Sequence, residues 1–309
     1  MRAAVISGNG AAPVLQEFPE PTAREGSVLI EVDTAGLGGW DVLGAYRLGV
    51  QYPCVIRGEG VGRAEDGRRV YFGERSVAPW GAWADKTLVP AAEVWDVPDD
   101  IDDRTAITMG IAGTGILIPL EAAKIQPGES VLILGATGVL GQIGLQLAKS
   151  LGAGRVVAAA RSQAGLDRLM ERGLADAIVA MGGDNDTEAL KAASGGDGFD
   201  VVLDLVFGKP FLSAVKATKW GARLITIGTG AGRVVELNIG DLLFRTLTCI
   251  GTGQRPPADR EAIWRRLLAM QKDQLIEVDY VDYDFADSSE AWAAQVSGPH
   301  AKITAKVRG

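Results

Sequence analysis

Between Gly128 and Ile250 the chain alternates short apolar runs with segments of helical period, and this rhythm restricts the fold more than any other feature. Residues 131–134, 155–160, 176–180, 199–205 and 223–227 read as strands. Residues 139–151, 163–172, 186–193 and 209–218 read as the helices between them. A strand that returns to its neighbour through a helix runs parallel to it, and the returning helices cover the faces of the sheet. Residues 247–250 suit one further strand at an edge. The expected architecture is an α/β domain built on a doubly wound parallel sheet.

The first third has a different character. Residues 27–34 alternate, with Val28, Ile30 and Val32 on one face and Glu31 and Asp33 on the other. Residues 1–7, 69–72 and 84–89 are shorter strand candidates, and Gly36, Gly38-Gly39, Gly58 to Gly62 and Asp66-Gly67 read as turns between them. No helix of ordinary length is expected before about Asp103. Residues 261–271 read as a helix, and 301–307 alternate again as a strand suited to rejoining the first domain.

Composition excludes several classes of function. Lys and Arg total 31 against 39 Asp and Glu, a net charge of −8 with no basic block, so nucleic acid is not an expected partner. One histidine, His300, and two cysteines, Cys54 and Cys249, cannot fill a four-ligand zinc site or a disulfide framework. The cysteines read as small buried hydrophobes. The longest uncharged stretch, the 16 residues between Arg104 and Glu121, is broken by three glycines and a proline. A span needs roughly 20 mostly apolar residues, so a buried core segment is expected and no membrane partner. No signal-like segment stands at the N-terminus, and the expected compartment is the cytoplasm.

The most informative motif is Gly135-Ala136-Thr137-Gly138-Val139-Leu140-Gly141, which follows one predicted strand and opens the next predicted helix. Glycines there permit a tight turn and let backbone approach a pyrophosphate, while the helix N-terminus offers unpaired amides and the positive end of its dipole. The spacing is G-x-x-G-x-x-G instead of G-x-G-x-x-G, with the same physics. An NAD site would place an acidic residue near the end of the second strand. Here Arg161-Ser162 stands there, and a guanidinium suits a 2′-phosphate, so NADPH is the expected cofactor.

These passages resemble the medium-chain dehydrogenase/reductase superfamily, in its zinc-independent quinone oxidoreductase type. The resemblance rests on Gln126-Pro127-Gly128-Glu129, the glycine loop and Leu145-Gln146-Leu147-Ala148-Lys149, on Ala112-Gly113-Thr114-Gly115, on Gly81-Ala82-Trp83-Ala84-Asp85, and on Gly58-Glu59-Gly60-Val61-Gly62. Gly67-Arg68-Arg69-Val70 and the closing Ala301-Lys302-Ile303 add to it. It implies a GroES-like, β-rich catalytic domain over 1–115, completed by 273–309, and a Rossmann NADPH-binding domain over 116–272. It places Gly38 and Gly58 where zinc-dependent members have metal ligands, so no metal is expected. Many NADPH-using relatives carry a lysine near the position of Gly165, which leaves Arg161 with most of the 2′-phosphate.

The resemblance implies hydride transfer to the C=C bond of a quinone, an α,β-unsaturated carbonyl or an enoyl compound. A metal-free ketone or alcohol dehydrogenase and a non-catalytic NADPH-binding protein are the alternatives. It extends the cofactor contacts from Gly135–Gly141, Arg161 and Ser162 to Thr114, Leu205, Gly228 and Thr229. Tyr46, Tyr52 and Lys209 are the candidate catalytic donors, Asp41 reads as structural, and Trp40, Trp80 and Trp83 are candidate walls for a flat conjugated substrate. A homodimer joined near 247–250 is the expected assembly.

Overall fold

A computed structural model of the chain describes residues 1–43, 50–273 and 276–308. Tyr46 lies outside the described residues. The chain forms two compact units, Met1–Thr114 with Arg255–Leu275 and Asp279–Gly309, and Gly115–Gln254 with Ile276–Val278.

The first unit begins with β1 (Arg2–Ile6), β2 (Val14–Glu17) and β3 (Ser27–Leu37), followed by the short helix α1 (Gly39–Leu43). Strands β4 (Cys54–Val55), β5 (Glu59–Ala64), β6 (Arg69–Phe72), β7 (Lys86–Pro90) and β8 (Val94–Asp96) follow, then helix α2 (Asp103–Thr108). Several glycines read as turns lie inside strands. Gly36 is in β3, and Gly60 and Gly62 are in β5. They are glycines because neighbours press on them: a Cβ on Gly60 would stand 2.8 Å from the Phe72 ring, and one on Gly62 would overlap the Glu31 carbonyl. Asp66-Gly67 is a true turn, with Gly67 at φ +85° and the Asp66 carboxylate accepting the Arg68 amide.

In the second unit α3 (Thr114–Ala123) leads into six strands, β9 (Ser130–Leu134), β10 (Arg155–Ala160), β11 (Ala177–Ala180), β12 (Phe199–Asp204), β13 (Thr218–Thr226) and β14 (Thr246–Cys249). Helices α4 (Val139–Ser150), α5 (Gln163–Glu171), α6 (Asp186–Ala193) and α7 (Gly208–Lys216) alternate with them. The sheet order is β11-β10-β9-β12-β13-β14, parallel throughout. This is the doubly wound sheet expected from the rhythm, with β14 at the edge. The order reverses between β9 and β12, the place where open α/β sheets bind ligands. Every residue of β9 is buried, as befits a strand covered on both faces.

The chain then returns to the first unit through α8 (Pro257–Asp273), β15 (Tyr280–Asp284), α9 (Ser288–Ser297) and β16 (Lys302–Lys306). β16 pairs antiparallel with β3, so the tail rejoins the first domain as the sequence suggested. The seven-stranded sheet runs β15-β16-β3-β5-β6-β8, with β7 also on β3. The structure differs from the expected boundary at 272: α8, inside the expected second domain 116–272, belongs to the first unit. Trp264 is fully buried there, its indole N–H donating to the Ala106 carbonyl at 3.0 Å and its ring stacking on Tyr71 at 5.2 Å. Arg260 grips both Glu93 oxygens at 2.6 and 2.7 Å.

Residues Asp103–Ala123 are long and apolar enough to cross a membrane by length and composition, but they are mostly buried inside the protein as a core helix. Cys54 is buried, as expected. Cys249 is exposed, because it ends the edge strand β14 and no further strand covers it among the described residues.

Candidate functional site

In the second unit the residues expected to hold the cofactor gather at the carboxyl ends of the parallel strands. Gly135 to Gly141 follow β9, Arg161 and Ser162 follow β10, Leu205 follows β12, and Gly228 and Thr229 lie just beyond β13. Gly135 and Gly141 are dictated by space. Gly135 has φ +81°, and a Cβ on it would stand 2.7 Å from a Val206 methyl. A Cβ on Gly141 would lie 2.5 Å from the Ala136 Cα, so the loop folds directly onto the first turn of α4. Gly144 lets α4 approach β9, with Ile116 and Ile133 at 3.0 and 3.2 Å from the position of its absent Cβ.

Helix α4 begins at Gly138 with no side chain capping it. Its first amides are therefore available to an anion, as a phosphate-binding helix requires. The Gln142 side chain braces the loop from behind, donating to the Thr137 carbonyl at 3.0 Å. These features fit a dinucleotide pyrophosphate.

Arg161 is exposed directly after β10. Ser162 caps α5, its hydroxyl oxygen accepting the Gly165 amide at 3.1 Å. Gly228 is set by backbone proximity, since a Cβ there would overlap the Leu205 carbonyl. Thr229 is exposed, and its carbonyl accepts the Gly232 amide. Lys209 is exposed on the first turn of α7, just beyond the turn that leaves β12.

That turn was not singled out by sequence reasoning. Phe207 has φ +56° and ψ −156°, a conformation unfavourable for a residue with a side chain. It is held by buried Asp204, whose carboxylate accepts the Val206 amide at 3.0 Å and the Phe207 amide at 2.7 Å. Burial pushes the Asp204 carboxyl above its ordinary value, and these two bonds and the Thr226 hydroxyl draw it back. The Phe-Gly pair after an apolar strand was the only signal available.

In the first unit a charged cluster occupies the region of Gly38 and Gly58. Asp41 is buried and accepts the Gly38 amide at 3.0 Å and the Gly58 amide at 3.1 Å, the structural role expected of it. Burial pushes its carboxyl up to about 6, against the pull of both amides and of Lys302. Glu74 is pushed up to about 7 by burial and by Asp41. Glu59 is buried and paired with buried Lys302. Among the described residues, no three His, Cys, Asp or Glu side chains are grouped so as to hold a metal ion.

The remaining candidates divide. Thr114 is buried in the first unit, its hydroxyl donating to the Gly110 carbonyl at 2.6 Å. Tyr52 is half-buried and packs against the core of that unit. Trp83 is fully buried, its indole donating to the Gly36 carbonyl at 3.1 Å, so it is a packing residue and not a wall for a ligand. Trp80 donates to the Pro19 carbonyl, and Trp40 is largely exposed.

Residues 139–269 match a family model described as zinc-binding dehydrogenase. That stretch contains no histidine and a single cysteine, Cys249. The chain is 26% identical over 206 residues to quinone oxidoreductase-like protein 2 of Rattus norvegicus, covering 66% of this chain and 57% of the rat protein. It thus spans little more than half the length of that relative. It is 26% identical over 301 residues to acryloyl-coenzyme A reductase of Sulfurisphaera tokodaii, covering 84% and 87% of the two chains. A mycobacterial protein solved in complex with NADPH has the same fold, with a TM-score of 0.87 at 21% identity and coverage of 99% and 100%.

Proposed function

The chain belongs to the medium-chain dehydrogenase/reductase superfamily, in its quinone oxidoreductase type, and from that premise we propose that it is an NADPH-dependent oxidoreductase acting on a conjugated carbonyl without a metal. The observation that carries this reading is the cradle at Gly135 to Gly141. A Cβ on Gly141 would collide with Ala136 of the loop and one on Gly135 with Val206, and an uncapped helix opens behind them. Arg161 is the cation for the 2′-phosphate.

Bound NADPH supplies a hydride for the β-carbon of a C=C bond conjugated to a carbonyl. The chain's task is to align the two reactants and to meet the negative charge that grows on the carbonyl oxygen. Lys209, exposed beside the carboxyl end of β12, is the donor we assign to that charge. Thr114 is assigned to the nicotinamide on the family resemblance. Tyr52 contributes packing. The backbone near Gly58 supports a metal-free reaction. Gly58 has φ +49°, and a Cβ there would stand 2.6 Å from the Gly36 carbonyl oxygen and 3.0 Å from Trp83, so no ligating side chain fits.

The test is NADPH and NADH oxidation with a panel of quinones, enones and enoyl thioesters, beside saturated ketones. Turnover of the conjugated compounds with NADPH preferred is the expected result. Turnover of saturated ketones alone would favour a ketone reductase on the same scaffold and sink this reading.

We further propose a homodimer through β14. This strand carries no charge and, among the described residues, leaves one edge unpaired, and large apolar side chains crowd its surroundings: Trp220 is 78% exposed, Leu243 68% and Phe244 58%. Trp220 stacks on Phe244 at 5.0 Å. Such an edge, unblunted by charge, suits pairing with its own copy about a two-fold axis. A monomer by light scattering at micromolar concentration would refute it.

A further inference from the structure

The first unit contains a buried ion pair that the proposed chemistry leaves unused. Lys302 and Glu59 are each 2% exposed, and the ammonium lies 2.5 Å from Glu59 Oε1. Desolvation offsets much of the attraction in such a pair, so stability alone is a weak reason for it. Gly36 borders the pair: a Cβ there would stand 2.6 Å from an Ile107 methyl and 3.2 Å from Glu59 Cγ.

The second carboxylate oxygen points to a purpose. Glu59 Oε2 accepts the Tyr71 hydroxyl at 2.7 Å and the Ile111 amide at 3.0 Å. Ile111 is the middle residue of the π-turn Met109–Gly113, between α2 and α3, in which Gly110 leaves the helical conformation at ψ −110°. A π-turn releases backbone groups from the regular helical ladder, and such turns concentrate at functional sites. Here one amide of the turn is held by Glu59. Gly110 must be glycine, because a Cβ there would overlap the Tyr71 hydroxyl. The Gly110 carbonyl in turn accepts the Thr114 hydroxyl at 2.6 Å. Lys302, Glu59, Tyr71 and the π-turn form one continuous chain of contacts that ends on Thr114.

We propose that Glu59, held in place by Lys302, is a positioning residue that fixes the π-turn and, through Gly110, the Thr114 side chain that meets the nicotinamide. The proposal rests on the NADPH reading above and on its assignment of Thr114. It predicts that disturbing the ion pair weakens the grip on the nicotinamide half of the cofactor and leaves the adenosine half alone.

Binding of NADPH and of 2′,5′-ADP, which lacks the nicotinamide, is measured by calorimetry on the full chain. The variants are Lys302→Met, Lys302→Arg and the double variant Glu59→Gln/Lys302→Met. The double variant strands no buried charge and keeps the test alive if Lys302→Met fails to fold. Expected is a loss of about tenfold in NADPH affinity for Lys302→Met or the double variant, with 2′,5′-ADP affinity within about twofold of the parent. Lys302→Arg, which preserves the charge, is expected to recover most of the loss. Equal losses for both ligands, or none for either, would overturn the proposal. A parent protein that binds neither ligand would overturn the cofactor reading itself, and this assignment with it.

Discussion

Gly165, on the first turn of α5, lies so close to the phosphate loop that a Cβ on it would stand 2.8 Å from the Thr137 methyl and 3.2 Å from the Ser162 hydroxyl. The lysine that many NADPH-using relatives carry near this position therefore has no room here. Arg161, exposed four residues earlier, is left to meet a 2′-phosphate. Arg161→Ala is expected to lower the ratio of kcat/KM for NADPH over NADH by about tenfold or more, the scale of one lost charge-assisted contact. A ratio equal to the parent's would remove the arginine from the cofactor argument.

The same contact makes Gly165 sensitive to a single methyl group. Gly165→Ala is expected to push Thr137 away and cost about 1–3 kcal/mol, the usual range for overpacking. The measurement is thermal melting with and without NADPH. Because Thr137 belongs to the loop, the stabilisation by NADPH should shrink along with the melting temperature. A variant that melts as the parent does would show that the loop yields freely.

Lys209 gives a prediction on rate. If it meets the charge developing on the carbonyl oxygen, Lys209→Ala is expected to reduce kcat by about ten- to a hundredfold, with NADPH affinity nearly unchanged. Single-turnover NADPH oxidation on an enone or quinone reads this directly. An unaltered rate would return the residue to the solvated surface of α7.

Gly58 allows a structural test of metal independence. Gly58→His combined with Gly38→Cys recreates the residue types of zinc-dependent relatives. The left-handed backbone at Gly58 and the nearby Gly36 carbonyl exclude the new side chain. The double variant is expected to melt lower than the parent and to carry no stoichiometric zinc by elemental analysis after purification with the metal. One zinc per chain would overturn the steric argument.

The second unit was legible in the sequence because local rules act there in agreement. Strand runs such as 155–160 coincide with the observed element, and the glycine loop stands at the end of β9 where its spacing put it. The first unit was less legible because its glycines serve neighbours distant in sequence. Gly60 yields to Phe72, and Gly36 yields to Ile107, so each reads as a turn until the sheet is assembled. The membership of helix α8 in the first unit is hidden for a similar reason. Its helical period was visible, but its partners Tyr71, Trp95 and Glu93 lie far away in the chain. The π-turn has no local signal either, since its contacts are with Tyr71 and Glu59, which lie far from it in the chain.

The acidic cluster makes stability depend on pH in a definite direction. Asp41 is pushed up to about 6 and Glu74 to about 7, in both cases first by burial. For Glu74 the Asp41 charge comes next, followed by a downward pull from Arg75, an upward push from Glu59 and a downward pull from Arg57. For Asp41 the amides of Gly38 and Gly58 and the Lys302 ammonium pull down, and Glu59 pushes up. Both folded values lie above the ordinary 3.8 and 4.5, so between those limits the folded state holds more protons than the unfolded chain. Stability from these groups is greatest in acid and declines as pH rises from about 4 to about 7. At about 1.4 kcal/mol per pH unit of difference, the share of Glu74 is of order 3 kcal/mol. Glu74→Gln removes that share and relieves Asp41 of a neighbouring charge. Denaturant unfolding of parent and variant at a series of pH values gives the difference in stability at each. That difference is expected to shift in favour of the variant from pH 4.5 to pH 7 and to level off above. Parallel profiles across this window would show that Glu74 titrates alike in the folded and unfolded chains.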